Sequence, residues 1–369
     1  MINVKRRKLL LGFGGVGIGV AVGPAFASVE RKPELKILIL GGTGFIGPHI
    51  VKRAISRGHE VTLFNRGRSN THLFPDVSKL RGDRANNLDA LNTGHWDVVI
   101  DNSGYVPQHV QDSATLLKDR VGRYLFTSSI SAYDLSSNNF PYKPGSRLVP
   151  WTNPDSEDAG VHYSEFKAEC ERRVQAIYAQ RATVVRPTFI VGPGDTSERF
   201  TWWVYRIYHG GEVLAPGNPE TNFTLIDVRD LADFYVRLAE DDRAGVFNAS
   251  GPADRFSFGN MLNGIRETAK SAVNFHWVTN EFLAEHGVIW HELPLWGFIE
   301  DGVTELTIEN QSSIAAGLDF RPFRVTTQDT IKWYRQLSKE KQQFTRVGID
   351  PLKEAKVLAA WDEQHASES

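Results

Sequence analysis

Apolar and polar positions alternate along the chain in two recurring patterns, short buried runs and longer segments with helical spacing. Residues 35–40 read Leu-Lys-Ile-Leu-Ile-Leu, almost wholly apolar, as in a central parallel strand buried on both faces. The run stops at a glycine cluster, and residues 48–57 resume with helical spacing. Residues 59–65 are rich in β-branched and aromatic side chains and predict a second strand. Residues 77–82, 96–101, 123–127 and 182–186 predict four more, while residues 110–117 and 163–179 predict helices. Strands alternating with helices through Thr127 predict an α/β fold built on a right-handed, doubly wound parallel sheet. Residues 133–162 follow neither period and carry Pro141, Pro144, Pro150 and Pro154. An aperiodic segment of that length in a compact domain is usually functional or mobile.

The first strand gives way to its helix through Gly41-Gly42-Thr43-Gly44-Phe45-Ile46-Gly47. Glycines at 42, 44 and 47 have the spacing of a dinucleotide-binding turn, and the placement predicts a Rossmann-type core. A turn without side chains lets a pyrophosphate approach the backbone, and the N–H groups and dipole of the next helix hold its charge. The second strand ends Asn65-Arg66-Gly67-Arg68, where an acidic residue would bond the ribose 2′-hydroxyl of NAD. Guanidinium groups suit a 2′-phosphate, so NADP is favoured and NAD remains possible. The alternative is that both arginines are solvated loop residues.

Length and charge narrow the class. The 369 residues suffice for one large α/β domain and a smaller lobe. Residues 1–27 stand apart: Lys5-Arg6-Arg7-Lys8, an apolar glycine-rich stretch, then Ala25-Phe26-Ala27 as a small-x-small cleavage site. Arg6-Arg7-Lys8-Leu9-Leu10 resembles a twin-arginine export signal; a general secretory signal or an uncleaved anchor is the other reading. The expected mature protein begins near Ser28, is exported to the periplasm or beyond, and meets the membrane only through its signal. Lys and Arg number 42 and Asp and Glu 44; residues 1–27 hold four of the basic residues and no acidic one, leaving 38 against 44 and a net charge of −6. That balance disfavours nucleic acid as the main partner. Cys170 is the single cysteine and reads as a core thiol. No histidine spacing suggests a metal, so none is expected.

Tyr163-Ser164-Glu165-Phe166-Lys167 opens a predicted helix and sets Tyr163 and Lys167 on one face. Thr127-Ser128-Ser129 ends the fifth strand, at the edge where open α/β sheets bind ligands. With the glycine turn, residues 185–194 (Val-Arg-Pro-Thr-Phe-Ile-Val-Gly-Pro-Gly) and residues 223–232, these stretches resemble the extended short-chain dehydrogenases/reductases of the NAD-dependent epimerase/dehydratase superfamily. Gly41-x-x-Gly44-x-x-Gly47 is that group's glycine variant. Phrases such as Phe64-Asn65-Arg66-Gly67 and Leu80-Arg81-Gly82-Asp83 resemble its atypical members, which include chloroplast stem-loop RNA-binding proteins.

The resemblance implies a catalytic set of Ser129, Tyr163 and Lys167, with Ser128 and Ser131 as alternatives for the serine. Tyrosine has a pKa of ~10, so a base near pH 7 needs ~4 kcal/mol of anion stabilisation. The resemblance assigns much of it to Lys167, which would also hold the nicotinamide ribose. Expected cofactor contacts are Gly41, Gly42, Thr43, Gly44, Phe45, Ile46, Gly47, Asn65, Arg66, Asp83, Ser103 and Pro187, together with Tyr163 and Lys167. The expected organisation is a signal at 1–27, a dinucleotide-binding core at 28–190, a smaller mixed substrate lobe with returning core elements at 191–337, and a helical tail at 338–369. Trp202, Trp203, Tyr205 and Tyr208 suit either a sugar platform or a helix core.

The expected activity is an oxidoreductase or epimerase on a small, carbohydrate-like alcohol or carbonyl, with its cofactor retained through the cycle and a homodimer possible. The alternatives are a reductase that exchanges NADP and a non-catalytic binding protein.

Overall fold

Alternation within the first strand decides how the layers assemble. A computed structural model describes residues 33–137, 139–296 and 306–366; the proposed export signal lies outside the described residues. In β1 (Lys36–Leu40), Ile37 and Ile39 enter one core and Leu38 and Leu40 another, on opposite faces of the sheet. The first core is closed by α1 (Ile46–Ser56) and the later α5, the second by α2 (Pro107–Leu117) and α3 (Tyr163–Tyr178). Both faces are therefore dry, as the apolar run required.

Around β1 lie β2 (Glu60–Asn65), β3 (Ser78–Arg81), β4 (Trp96–Asp101), β5 (Val121–Thr127) and β6 (Ala182–Pro187). The chain then forms β7 (Phe189–Val191), α4 (Arg199–Tyr208), β8 (Gly211–Pro216), β9 (Leu225–Asp227), α5 (Val228–Glu240) and β10 (Gly245–Ala249). The main sheet has the order β10-β6-β5-β4-β1-β2-β3, and every neighbouring pair in it is parallel. Strand order reverses between β1 and β4, which opens a crevice at their carboxyl ends. The doubly wound parallel sheet read from the sequence is present.

After β6 the chain serves two layers. α5 and β10 return to the main sheet. α4, β8, α6 (Phe258–Ala269), β11 (Val273–Val278), α7 (Asn280–Glu285) and α10 (Pro351–Ala366) contribute to a separate apolar core, against which α9 (Phe323–Tyr334) packs; α8 (Gln311–Ala315) lies beside β10. Trp202 and Trp203 are buried in that core, and Tyr205 packs on Tyr334 and Phe344, so this part of the aromatic set is helix core. The tail helix docks on the same lobe through Glu354, which accepts from Arg206 Nε at 2.9 Å and from Leu214 N at 3.1 Å.

The phrase at residues 223–232 is explained by a helix start. Asp227 accepts from Arg229 N at 2.8 Å and caps α5, while Thr326 Oγ1 donates to its other oxygen at 2.7 Å. Burial raises its pKa, but hydrogen bonds and charge from Arg229 and Arg321 outweigh that and leave it below the usual value. The proline-rich segment before α3 is pinned as well. Trp151 stacks on Phe166, and Arg186, paired through two hydrogen bonds with buried Glu171, donates to Pro144 O at 2.9 Å. Among the described residues no helix is long and apolar enough to cross a membrane.

Candidate functional site

The glycine turn is shaped by contacts that exclude side chains. Gly41 and Gly42 have φ of +112° and +90°, and a Cβ on Gly47 would lie 2.5 Å from the Gly42 Cα. Gly44 differs, since nothing lies within 4 Å of its Cβ position. The side that Gly44 presents is open, and α1 begins just beyond without a side-chain cap. A pyrophosphate fits such a place, with free N–H groups, a helix dipole and no side chain in the way.

This turn borders a cleft of about 480 Å³ whose walls include Gly41, Thr43, Gly44, Asn65, Arg66, Arg68, Asp83 and Ser103. Asn65 is a brace: its Nδ2 donates to Gly41 O at 3.1 Å and its Oδ1 accepts from Gly67 N at 2.9 Å. Ser103 Oγ donates to Leu40 O at 2.9 Å, fixing the β4 loop to β1. Asp83 shapes its own turn, exchanging backbone bonds with Asn87. Arg66 and Arg68 are exposed and have no hydrogen-bond or ion-pair partner among the described residues. On the same cleft, partly buried Arg84 donates to both oxygens of Asp101, at 2.6 and 2.8 Å, while Tyr124 OH donates to Asp101 at 2.7 Å. The sequence reading missed this triad because its members come from three separated segments.

A second cavity of about 440 Å³ opens at the ends of β5 and β6. It brings together Ser129, Tyr163 and Lys167, along with Phe45, Ile46 and Pro187. Gly42 and Gly47 line neither cavity and serve the packing of the turn. The Ser129 hydroxyl is close enough to Tyr163 to ease ionisation of its phenol, and its Oγ lies 2.6 Å from Ser131 Oγ. Ser128 is buried, and its Oγ has no partner. Of the three candidate serines, Ser129 is thus the one whose hydroxyl acts on Tyr163, with Ser131 hydrogen-bonded to it.

Lys167 is held by backbone carbonyls. Its Nζ donates to Gly104 O at 2.7 Å and to Thr127 O at 2.8 Å, and stands 5.9 Å from the centre of the Tyr163 ring. A buried ammonium must satisfy its donors, and these two carbonyls are within reach. Burial lowers its pKa. Burial also pushes the Tyr163 phenol above its ordinary value, opposed by the nearby Ser129 hydroxyl and the charge of Arg199. Arg199, which the sequence reading did not single out, is a cation whose charge eases ionisation of Tyr163. Arg199 Nε donates to Ser197 Oγ at 3.1 Å, and its guanidinium lies 5.2 Å over Phe189. Cys170 is fully buried, its thiol pushed up to about 12 by burial, and it is unsuited to attack. No cluster of metal-ligating side chains exists among the described residues.

The fold and cleft define an α/β protein of the doubly wound class. The model of the NAD dependent epimerase/dehydratase family matches residues 37–250, more than half of the sequence, and the chain belongs to that family. It is 29% identical over 241 residues to the chloroplast stem-loop binding protein of 41 kDa b of Arabidopsis thaliana, covering 60% of this chain and 60% of that protein. It is 31% identical over 220 residues to the 2-alkyl-3-oxoalkanoate reductase of Stenotrophomonas maltophilia (strain K279a), covering 55% of this chain and 65% of the relative. The chain thus spans less than two thirds of the length of these curated relatives. Among solved structures, the Bordetella bronchiseptica enzyme WbmH in complex with NAD+ superimposes with a TM-score of 0.63 at 17% identity, covering 82% of this chain and 99% of that one. At that identity the likeness is one of fold.

Proposed function

We propose that this chain is an enzyme that moves hydride between an NAD-type cofactor, NADP by preference, and a hydroxyl or carbonyl carbon of a sugar-like small molecule. The observation that carries the proposal is the meeting of Ser129, Tyr163 and Lys167 in one cavity beside the glycine turn, with Tyr105 in the walls of both spaces. The unpartnered Arg66 and Arg68 support NADP, because a 2′-phosphate would supply their missing counter-charge. When bound, the cofactor accepts hydride and can return it. Tyr163 takes the hydroxyl proton, Ser129 holds the substrate oxygen, and Arg199 favours the phenolate.

Membership of the NAD dependent epimerase/dehydratase family favours a closed cycle in which the cofactor stays bound. Export of residues 28–369 in folded form, directed by residues 1–27, would deliver it in place. The exposure of Arg66 and Arg68, together with the match to a reductase, favours a second reading, an enzyme that exchanges NADP at each turnover. Denaturing the purified protein and quantifying the released nucleotide separates them. Near-stoichiometric NAD(P) supports the closed cycle, and an empty protein that binds added NADPH supports exchange. A protein that is empty and binds neither NADPH nor NADH refutes both.

A further inference from the structure

Lys167 sits in a box of carbonyls and rings. The bonds to Gly104 O and Thr127 O use two of its three ammonium protons. Its remaining surroundings are aromatic, with Nζ 4.6 Å from the ring centre of Tyr105, 5.0 Å from that of Phe126 and 5.9 Å from that of Tyr163. The residue is only 3% exposed. An ammonium over such faces is held by their quadrupoles, most strongly where water is excluded.

If Lys167 is to meet a ribose hydroxyl, one of these rings has to give way. Phe126 is fully buried within β5 and packs in the core shared with Leu40 and Cys170. Tyr163 is the proposed base and is fixed at the start of α3. Tyr105 is 48% exposed and lies on the short loop between β4 and α2. It alone of the three borders both the glycine-turn cleft and the Tyr163 cavity. Its ring stands where a dinucleotide running from one space to the other would pass.

We propose that Tyr105 is a positioning residue that holds the ribose place over Lys167 in the cofactor-free protein and swings aside to admit the dinucleotide. The inference rests on the dinucleotide reading above and deepens it. With the ring down, Lys167 is enclosed; with the ring away, its third proton faces the path of the ligand. Only the open fraction associates productively, so the closed ring lowers the association rate without changing the contacts of the bound state.

The test uses the full protein, with Tyr105→Ala and Tyr105→Phe compared to wild type. NADPH association is followed by stopped-flow fluorescence, and Lys167 accessibility by amine labelling read by mass spectrometry without nucleotide. Tyr105→Ala is expected to raise the association rate at least threefold and to expose Lys167 to label. Tyr105→Phe keeps the ring and should match wild type within twofold in both. Equal labelling of Lys167 in wild type and Tyr105→Ala overturns the proposal. So does an unchanged association rate when the wild type binds NADPH. A wild type that binds neither NADPH nor NADH overturns the dinucleotide reading and the proposed swing with it, and the labelling then reports only whether Tyr105 encloses Lys167.

Discussion

At the glycine turn, Arg66 and Arg68 have no hydrogen-bond or ion-pair partner among the described residues, whereas in the Tyr163 cavity Ser129 and Lys167 are already engaged. Gly44 faces open space, the start of α1 has no side-chain cap, and Arg66 and Arg68 line the cleft with no partner among the described residues. Across Tyr105, Ser129 is bonded to Ser131 and Lys167 to two carbonyls. The first region is ready for an anion and loses little in receiving one. The second is held in order by bonds that a substrate and cofactor must partly replace. A static binding end and a rearranging reactive end suit an enzyme that anchors a cofactor by its phosphates and does chemistry at the far ring.

The largest effect should come from breaking the reactive end alone. Tyr163→Phe is expected to lower kcat by ~10²–10⁴-fold, the usual worth of a positioned acid–base group, while NADPH titration gives a near wild-type Kd. Next comes the binding end. Arg66→Ala should weaken NADPH binding by about 1.5–3 kcal/mol and NADH binding little, because only the former has a 2′-phosphate to lose. Equal losses for the two nucleotides would place Arg66 outside the adenosine site.

Within the turn, two glycines should behave oppositely. Gly47→Ala drives a Cβ into the Gly42 backbone and should cost about 1–3 kcal/mol of stability in chemical denaturation. Gly44→Ala meets no protein atom and should leave stability within about 0.5 kcal/mol while weakening nucleotide binding. The smallest effect is electrostatic. Arg199 pulls the Tyr163 pKa down, so Arg199→Gln leaves the phenol harder to ionise. The acidic limb of the kcat/KM profile for alcohol oxidation should then move to higher pH, by less than about one unit.

The same contrast explains what could be read from the sequence. The glycine turn was legible because its chemistry is contiguous: strand, turn and helix follow one another in residues 36–56. Ser129, Tyr163 and Lys167 were legible because strand ends and one-turn helical spacing have fixed geometry. Tyr105 and Arg199 were not, because their roles depend on where one loop side chain and one helix-start side chain turn in three dimensions. The two carbonyls that Lys167 bonds were not legible for a related reason. Spacing sets two side chains on one face but does not say whether a carbonyl from another segment lies nearer. Trp202 and Trp203 show the limit from the other side, since an aromatic stripe reads alike whether it faces a ligand or a core.

The structure of the protein crystallised with NADP+ tests the central claim most directly. The account predicts the 2′-phosphate at Arg66 and Arg68, the pyrophosphate against Gly44 and the start of α1, the Tyr105 ring displaced, and the nicotinamide beside Tyr163 with its ribose on Lys167. A nucleotide bound elsewhere, or a cleft left empty at saturating NADP+ and NAD+, would contradict it.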